Sequence, residues 1–378
     1  MKGTESFKII TLVEIMNANT HLVRHLKLLR LSLLLVLCAG LLPLAACKKK
    51  EDAAATDAAG AAPAGGAPTE ATPKDEPSFE LKAKWSEGQR LVVQIVTHTE
   101  SEMANPAVPQ PIKTENLTTL EIAFIASKEK EAGGREVEVE IASVKVENKV
   151  AGKVVPVFDP KGDPKAERAN PGAGAFRKLL SSRVKYQVDA AGSVSKVDDL
   201  TQLVFRVTAG QPPQSQFLIR TLLAEDTVRG WNTLHQNLPT NSVKAGDTWP
   251  STRDLPFGIA KFEVNTTNTF KGWEQRGNKK VAKFETVGVI TAKGTATSSI
   301  TIVEGATVTG TSWYEPALGV ITESDTTADF SINISQATGQ VIVSKFKTKT
   351  TSKLIEGAAP GADPAAAPPV DKKPVEKK

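Results

Sequence analysis

The feature that most limits how this chain can fold is the series of short turns between β-branched segments in its second half. Strand-like stretches lie near 258–273, 279–291, 295–303, 306–314, 320–334 and 340–354, and the turns carry Gly277, Asn278, Gly305, Gly319 and Gly339. Strands joined so closely pair antiparallel, because a parallel pair needs a crossover of about a dozen residues or more. A long meander follows from the spacing alone.

The first half adds further strands. Leu91 to Thr99 and Leu117 to Ala126 are β-branched and partly alternating, with Pro106, Pro109 and Pro111 between them. Glu136 to Glu147 reads EVEVEIASVKVE, in which Val137, Val139 and Ile141 share one parity and Val144 and Val146 the other. That phase slip predicts a β-bulge near Ala142 and Ser143. A short helix is expected at Ala175 to Ser182, then a hairpin from Val184–Val188 through Ala191-Gly192 into Val194–Val197. Residues 197–207 suit either a helix capped by Asp198 or a strand. Beyond Pro212 and Pro213, Leu218, Leu222, Val228, Trp231, His235 and Leu238 recur at helical spacing until Pro239, which predicts one long amphipathic helix, Gln216 to Leu238. About a dozen antiparallel strands curl rather than stay flat. The expected fold class is mainly β (α+β): a large antiparallel sheet, half-barrel or barrel-like, with one long and one short helix inserted midway.

The ends have another character. Leu31 to Leu44 is almost wholly apolar and follows His21, Arg24, His25, Lys27 and Arg30, the pattern of a secretory signal. The run is shorter than the ~18–20 residues of a spanning helix, and Gly40 and Pro43 interrupt it. Met16 would give a more typical signal length than Met1. Residues 48–78 and 357–378 are rich in Ala, Pro and Gly with scattered charge and no apolar period, so they read as a disordered tether and tail. The expected division is a signal at 1–46, an anchor residue and tether at 47–78, a globular domain at 79–356 and a tail at 357–378. A coil of the tether's length spans about 30 Å.

The tetrad Leu44-Ala45-Ala46-Cys47, directly behind the apolar run, resembles the lipobox of bacterial lipoproteins. The resemblance implies cleavage before Cys47, lipidation of its thiol, and acylation of the new amine by a fatty acid such as palmitate. Two or three acyl chains suffice for stable anchoring. Lys48 follows Cys47 in place of the aspartate that resembles an inner-membrane retention signal. The implied location is therefore the cell envelope, with the periplasmic face of the outer membrane or the cell surface favoured over the inner membrane. Cleavage removes five basic and two acidic residues and leaves 42 basic against 40 acidic, so the basic pI gives no reason to expect a nucleic-acid partner. Of two cysteines, Cys38 leaves with the signal and Cys47 carries lipid, so the mature fold has no disulfide and must rest on its core.

Catalytic motifs are not found. The chain lacks the nucleophile elbow, the His-Glu-x-x-His pair, the phosphate loop and the dinucleotide glycine pattern. After cleavage only His98 and His235 remain, too few for an ordinary zinc site, so no metal, cofactor or catalytic residue is assigned and no enzymatic activity is expected. Glu136, Glu138 and Glu140 alternate along one strand and read as a solvated face. Gly246 and Asp247 suit a turn, and Trp249 a core residue beside it.

The stretch from Leu238-Pro239 through Val243 to Gly246-Asp247-Thr248-Trp249, with Trp313-Tyr314 and Leu318-Gly319-Val320 later, resembles a family of uncharacterised secreted β-rich bacterial proteins of unknown function. These are turn and core residues and speak for fold. The architecture also resembles, more loosely, the half-barrel lipoprotein-carrier and lipid-binding lipoprotein families. That likeness implies a hydrophobic ligand, with Leu218, Leu222, Trp231 and Leu238 facing a cavity beneath the helix. The function expected is a membrane-anchored, non-enzymatic binding or structural component of the envelope, with an envelope protein as partner; the alternative is a carrier of lipid or another hydrophobic ligand.

Overall fold

The computed structural model describes residues 77–357, apart from 107–109, 132, 151, 164, 166–171, 190–191, 258–259, 294–298 and 337–338. The signal, Cys47, nearly all of the tether and all but the first residue of the tail lie outside the described residues. Among the described residues, thirteen strands form one antiparallel sheet. In chain order they are β1 (Arg90–Ala104), β2 (Ile112–Ala126), β3 (Arg135–Val150), β4 (Lys153–Phe158), β5 (Arg183–Val188), β6 (Val194–Asp198), β7 (Thr248–Phe257), β8 (Ala260–Arg276), β9 (Lys279–Ala292), β10 (Ile300–Ile302), β11 (Thr307–Glu315), β12 (Val320–Ser335) and β13 (Val341–Gly357).

The order across the sheet is β6-β5-β3-β2-β1-β13-β12-β11-β9-β8-β7, with β4 on β3 and β10 on β12. The first strand therefore pairs with the last, and two meanders spread from that centre. The two edges, β6 and β7, are consecutive strands of the chain. Everything between them must cross from one edge to the other.

That crossing holds the helices: α2 (Leu200–Thr208), α3 (Pro213–Leu222), α4 (Glu225–Gly230) and a 3₁₀ turn, Thr233–His235; α1 (Ala173–Leu179) precedes β5. Eleven strands laid flat at 4.8 Å spacing would put the edges about 48 Å apart. Yet α4, six residues and about 9 Å long, lies against both β6 and β7. The sheet is curled until one short helix spans its mouth. It is a half-barrel whose seam is filled by helix and not by strand pairing.

The mainly β fold is as expected, and so are several details. Glu121 pairs with Ser143 while Ile122 pairs with Ile141, so Ala142 bulges out as the phase slip requires. The β5–β6 hairpin and α1 stand where predicted. Residues 200–208 are helical, with Asp199 and not Asp198 at the N-terminus. One expectation is corrected: Gln216 to Leu238 is not a single helix. Ala224 is extended (ψ 141°) and Asn232 leaves helical geometry (ψ 62°), which divides the segment into α3, α4 and the 3₁₀ turn. Leu222 and Leu223 are both buried, as are Thr227 and Val228, so adjacent positions face the core and the chain must turn to put them there. β7 was not expected; it contains Pro250 and Pro256, which an edge strand tolerates.

Three apolar clusters result. The largest joins α1–α4 to β1–β3 and β5, and includes Leu91, Val93, Phe124, Tyr186, Leu222 and Trp231. A second, around Phe262, Phe330 and Phe346, holds the opposite end of the later strands, with Phe330 and Phe346 stacked at 5.1 Å. The third gathers Leu81, Phe270, Phe284 and Tyr314. The chain entering β1 straps this third cluster to the rest. Phe79 exchanges backbone hydrogen bonds with Val243, Tyr314 donates its hydroxyl to the Lys82 carbonyl at 2.7 Å, and the Lys84 amide donates to Gly319 at 3.1 Å.

Gly319 sits at φ +69°, and a Cβ there would lie 2.3 Å from Cβ and Cγ of Lys84. Gly319→Ala must both strain the turn and push the strap away. It is expected to lower stability by about 1–3 kcal/mol, measured as a shift of the urea midpoint of the full chain.

Candidate functional site

The concave interior changes character along the strands. On β1 the inward parity reads Leu91, Val93 and Ile95, then Thr97, Thr99 and Ser101, then Met103, and all seven are buried. The same hydroxyl level continues strand after strand. Thr118, Thr97, Thr350, Thr326, Gly310, Thr286 and Asn268 are directly paired neighbours across β2, β1, β13, β12, β11, β9 and β8. A single polar row thus crosses the half-barrel between the apolar clusters.

Buried hydroxyls and amides are costly unless bonded, and most of this belt is. Thr97 and Thr350 hydroxyls lie 3.4 Å apart, and those of Thr99 and Thr348 3.2 Å apart. Asn116 donates to Asn148 at 2.6 Å and receives Thr118 at 3.0 Å. Ser324 and Ser352 are 2.7 Å apart, and Thr286 donates to Asn268 at 2.7 Å.

The row has one gap in side chains, at Gly310. Its row neighbours Thr286 and Thr326 help to line a partly open cavity of about 20 Å³. Its walls are Arg253 of β7, Thr266 of β8, Thr286 of β9, Ser312 of β11, and Ser324 and Thr326 of β12, with Gln236 and Asn237 above. Arg253 is only 8% exposed. Asn237 has φ +57°, a left-handed conformation that asparagine adopts more readily than most residues. It is pinned there: the Trp249 indole donates to its carbonyl at 2.7 Å and the Ser251 hydroxyl to its side-chain oxygen at 2.8 Å. The Gly246-Asp247 turn places that tryptophan, with the Lys244 amide donating to the Asp247 carboxylate at 2.9 Å. Trp249 thus packs on Phe284 and also fixes one wall of the cavity.

Of the four residues expected to share one ligand face, two lie in one cluster and a third packs against another. Leu222 and Trp231 are 1% and 0% exposed in the largest cluster. Leu238 packs against the third cluster instead. The side chain of Leu218 and the lipidation residue Cys47 lie outside the described residues. Two contacts hold the helical plug. Tyr186 of β5 donates its hydroxyl to the Val228 carbonyl, and burial pushes that phenol well above its usual range. Arg229 donates to the carbonyls of Val194 and Ser195 on edge strand β6 while bonded to Glu225 at 2.6 Å.

His98 lies on the outer side of β1 between Glu100 and Glu115. Glu138 and Glu140 pair with Arg183 at 2.8 and 2.7 Å, and Glu136 with Lys185 at 3.1 Å, a charged outer face as expected. Among the described residues no group of three or more His, Cys, Asp or Glu side chains could hold a metal ion. Neither Arg253 nor the hydroxyl belt was expected from the sequence. The signal was present in the parity of Thr97, Thr99 and Ser101, which continues that of Leu91, Val93 and Ile95.

His235 closes the plug beneath the strap, its ring 4.4 Å from that of Trp85. Burial depresses its pKa from 6.5 to about 3, against weaker opposing bonds toward the backbone of Lys84 and Gly319. The unfolded chain therefore takes up a proton near pH 6.5 that the folded chain refuses until about pH 3. The neutral imidazole's contribution is complete above pH 6.5 and is lost as pH falls below it. Between pH 7 and pH 5 the wild type should lose about 2 kcal/mol more stability than His235→Gln. Urea titrations of both at the two pH values check this.

Residues 133–341, more than half of the chain, match the model of a family of unknown function, DUF6263. No curated protein matches the sequence. Among solved structures, lipovitellin, in a structure of its lipid–protein interactions, is similar at 12% identity and TM-score 0.30, over 75% of this chain and 27% of that one. This chain thus spans about a quarter of the lipovitellin chain it matches. An exported protein with a YmcC-like fold from Bacteroides fragilis is similar at 11% identity and TM-score 0.24, over 75% and 100% of the two chains. An outer-membrane channel from Pseudomonas putida has 8% identity and TM-score 0.18, over 74% and 100%.

Proposed function

We propose that this chain, which belongs to the DUF6263 family of unknown function, is a lipid-anchored bacterial envelope protein that acts as a non-enzymatic binding or structural component. The observation that carries the domain's part of this reading is the packing of the plug. Trp231 and Leu222 fill the space between helix and sheet that a carrier would keep for acyl chains. The half-barrel then works as a rigid scaffold, presenting its surface and its polar cavity to partners, on a tether behind a lipidated Cys47. The lipobox supports the anchor, and Lys48 behind it favours the outer membrane.

Two experiments test the reading. Palmitate labelling and membrane fractionation of the full chain should show a labelled, membrane-bound protein. Cys47→Ala should be unlabelled and released; a labelled or still membrane-bound variant would contradict the anchor. For the domain, Trp231→Ala should lower stability by about 3–5 kcal/mol, as expected for a large buried aromatic. If stability were unchanged while the wild type alone co-purified with lipid, the carrier reading would replace this one.

A further inference from the structure

The geometry points to the cavity between Arg253 and Thr326 as a binding site for an oxyanion, the carboxylate or phosphate group of a small ligand, held by Arg253. This rests on the binding reading above and names the chemistry that the site takes.

Arg253 cannot deprotonate, and its planar fork matches carboxylate and phosphate oxygens two at a time. Inward parity on β7 brings it into the half-barrel, where it is 8% exposed. Facing it across the cavity are Ser312 and Thr326, whose hydroxyls make no hydrogen bond to the protein among the described residues and are available to donate. Thr286 and Thr266 have committed their hydroxyl protons, to Asn268 and to the Ser251 carbonyl, and so serve as walls. Asn237 supplies the third wall. Ser251 occupies its side-chain oxygen, which leaves its amide N–H groups as donors. Backbone held in a left-handed conformation by two separate bonds is a feature often found at ligand sites.

Size narrows the ligand. A cavity of about 20 Å³ admits an oxyanion group and little else, so the rest of a larger ligand must lie outside. Val308 and Ile321, 1% and 4% exposed, complete the lining with apolar surface beside the hydroxyls. The oxyanion could therefore belong to a free inorganic ion or to the head of an amphiphile.

Purified full chain would be titrated calorimetrically at fixed ionic strength with inorganic phosphate and, separately, with dodecyl phosphate below its micelle concentration. Saturable binding of either that Arg253→Gln weakens about tenfold to a hundredfold is the expected result. Thr326→Val, which keeps the side-chain volume, should weaken it about twofold to tenfold and guards against a folding defect in the arginine variant. Equal affinity for the two probes assigns the site to a free oxyanion, and clearly tighter dodecyl phosphate assigns it to an amphiphile head. No saturable binding, or binding indifferent to both variants, overturns the proposal. Recovery of dodecyl phosphate intact keeps the non-enzymatic reading. Its cleavage would end that reading while leaving the oxyanion site in place.

Discussion

The structure depends on one topological constraint: the two edges of the sheet, β6 and β7, are consecutive strands in the chain. An open sheet edge is a row of unpaired backbone groups that invites association with other chains. Here the connector between the edges is also what covers them. Because it must pass from one edge to the other, the sheet curls around it and α4 comes to rest against both. Arg229 then serves as an edge cap, donating to carbonyls of β6, and Tyr186 ties the same helix to β5. The strands need the helices to end the sheet, and the helices, each ten residues or fewer, need the sheet for stability.

The interior is layered, with apolar clusters to either side of a belt of threonine, serine and asparagine. Such a belt contributes less per residue than an apolar core, since the net gain of a buried hydrogen bond is only about 1 kcal/mol. It does fix register, because a slip of one residue would turn these groups, and the apolar residues of the same parity, to the outer face. The neighbours of its one gap, Thr286 and Thr326, line the cavity, and Arg253 reaches it from the unexpected edge strand β7. Scaffold and site are thus made by the same row of residues.

Much of the fold was legible in the sequence for physical reasons that survive in the structure. Parity alternation located β1–β3, and the slip from Ile141 to Val144 located the bulge, because sidedness is set by the backbone itself. Short glycine turns fixed the antiparallel meander. The plug was less legible. Its apolar residues do recur at helical spacing, but spacing cannot show that Leu222 and Leu223 both turn inward. The acidic pair Glu225-Asp226, favourable at the start of a helix, was the sign that a new one begins there. The cavity was not legible at all: Arg253, Ser312, Thr326 and Asn237 come from distant positions and meet only when the sheet curls. Trp249 read correctly as a packing residue, but its indole N–H bond to Asn237 could only be seen in three dimensions.

The plug is part of the core and not a lid, and native-state hydrogen exchange on the full chain tests that most directly. The amides of α4 should be protected to the same degree as those of β5 and β6 and lose protection together with them as denaturant is raised. Exchange at α4 that runs far ahead of a still-protected β5 and β6 would show a plug that opens on its own, and would contradict a half-barrel closed by its own connector.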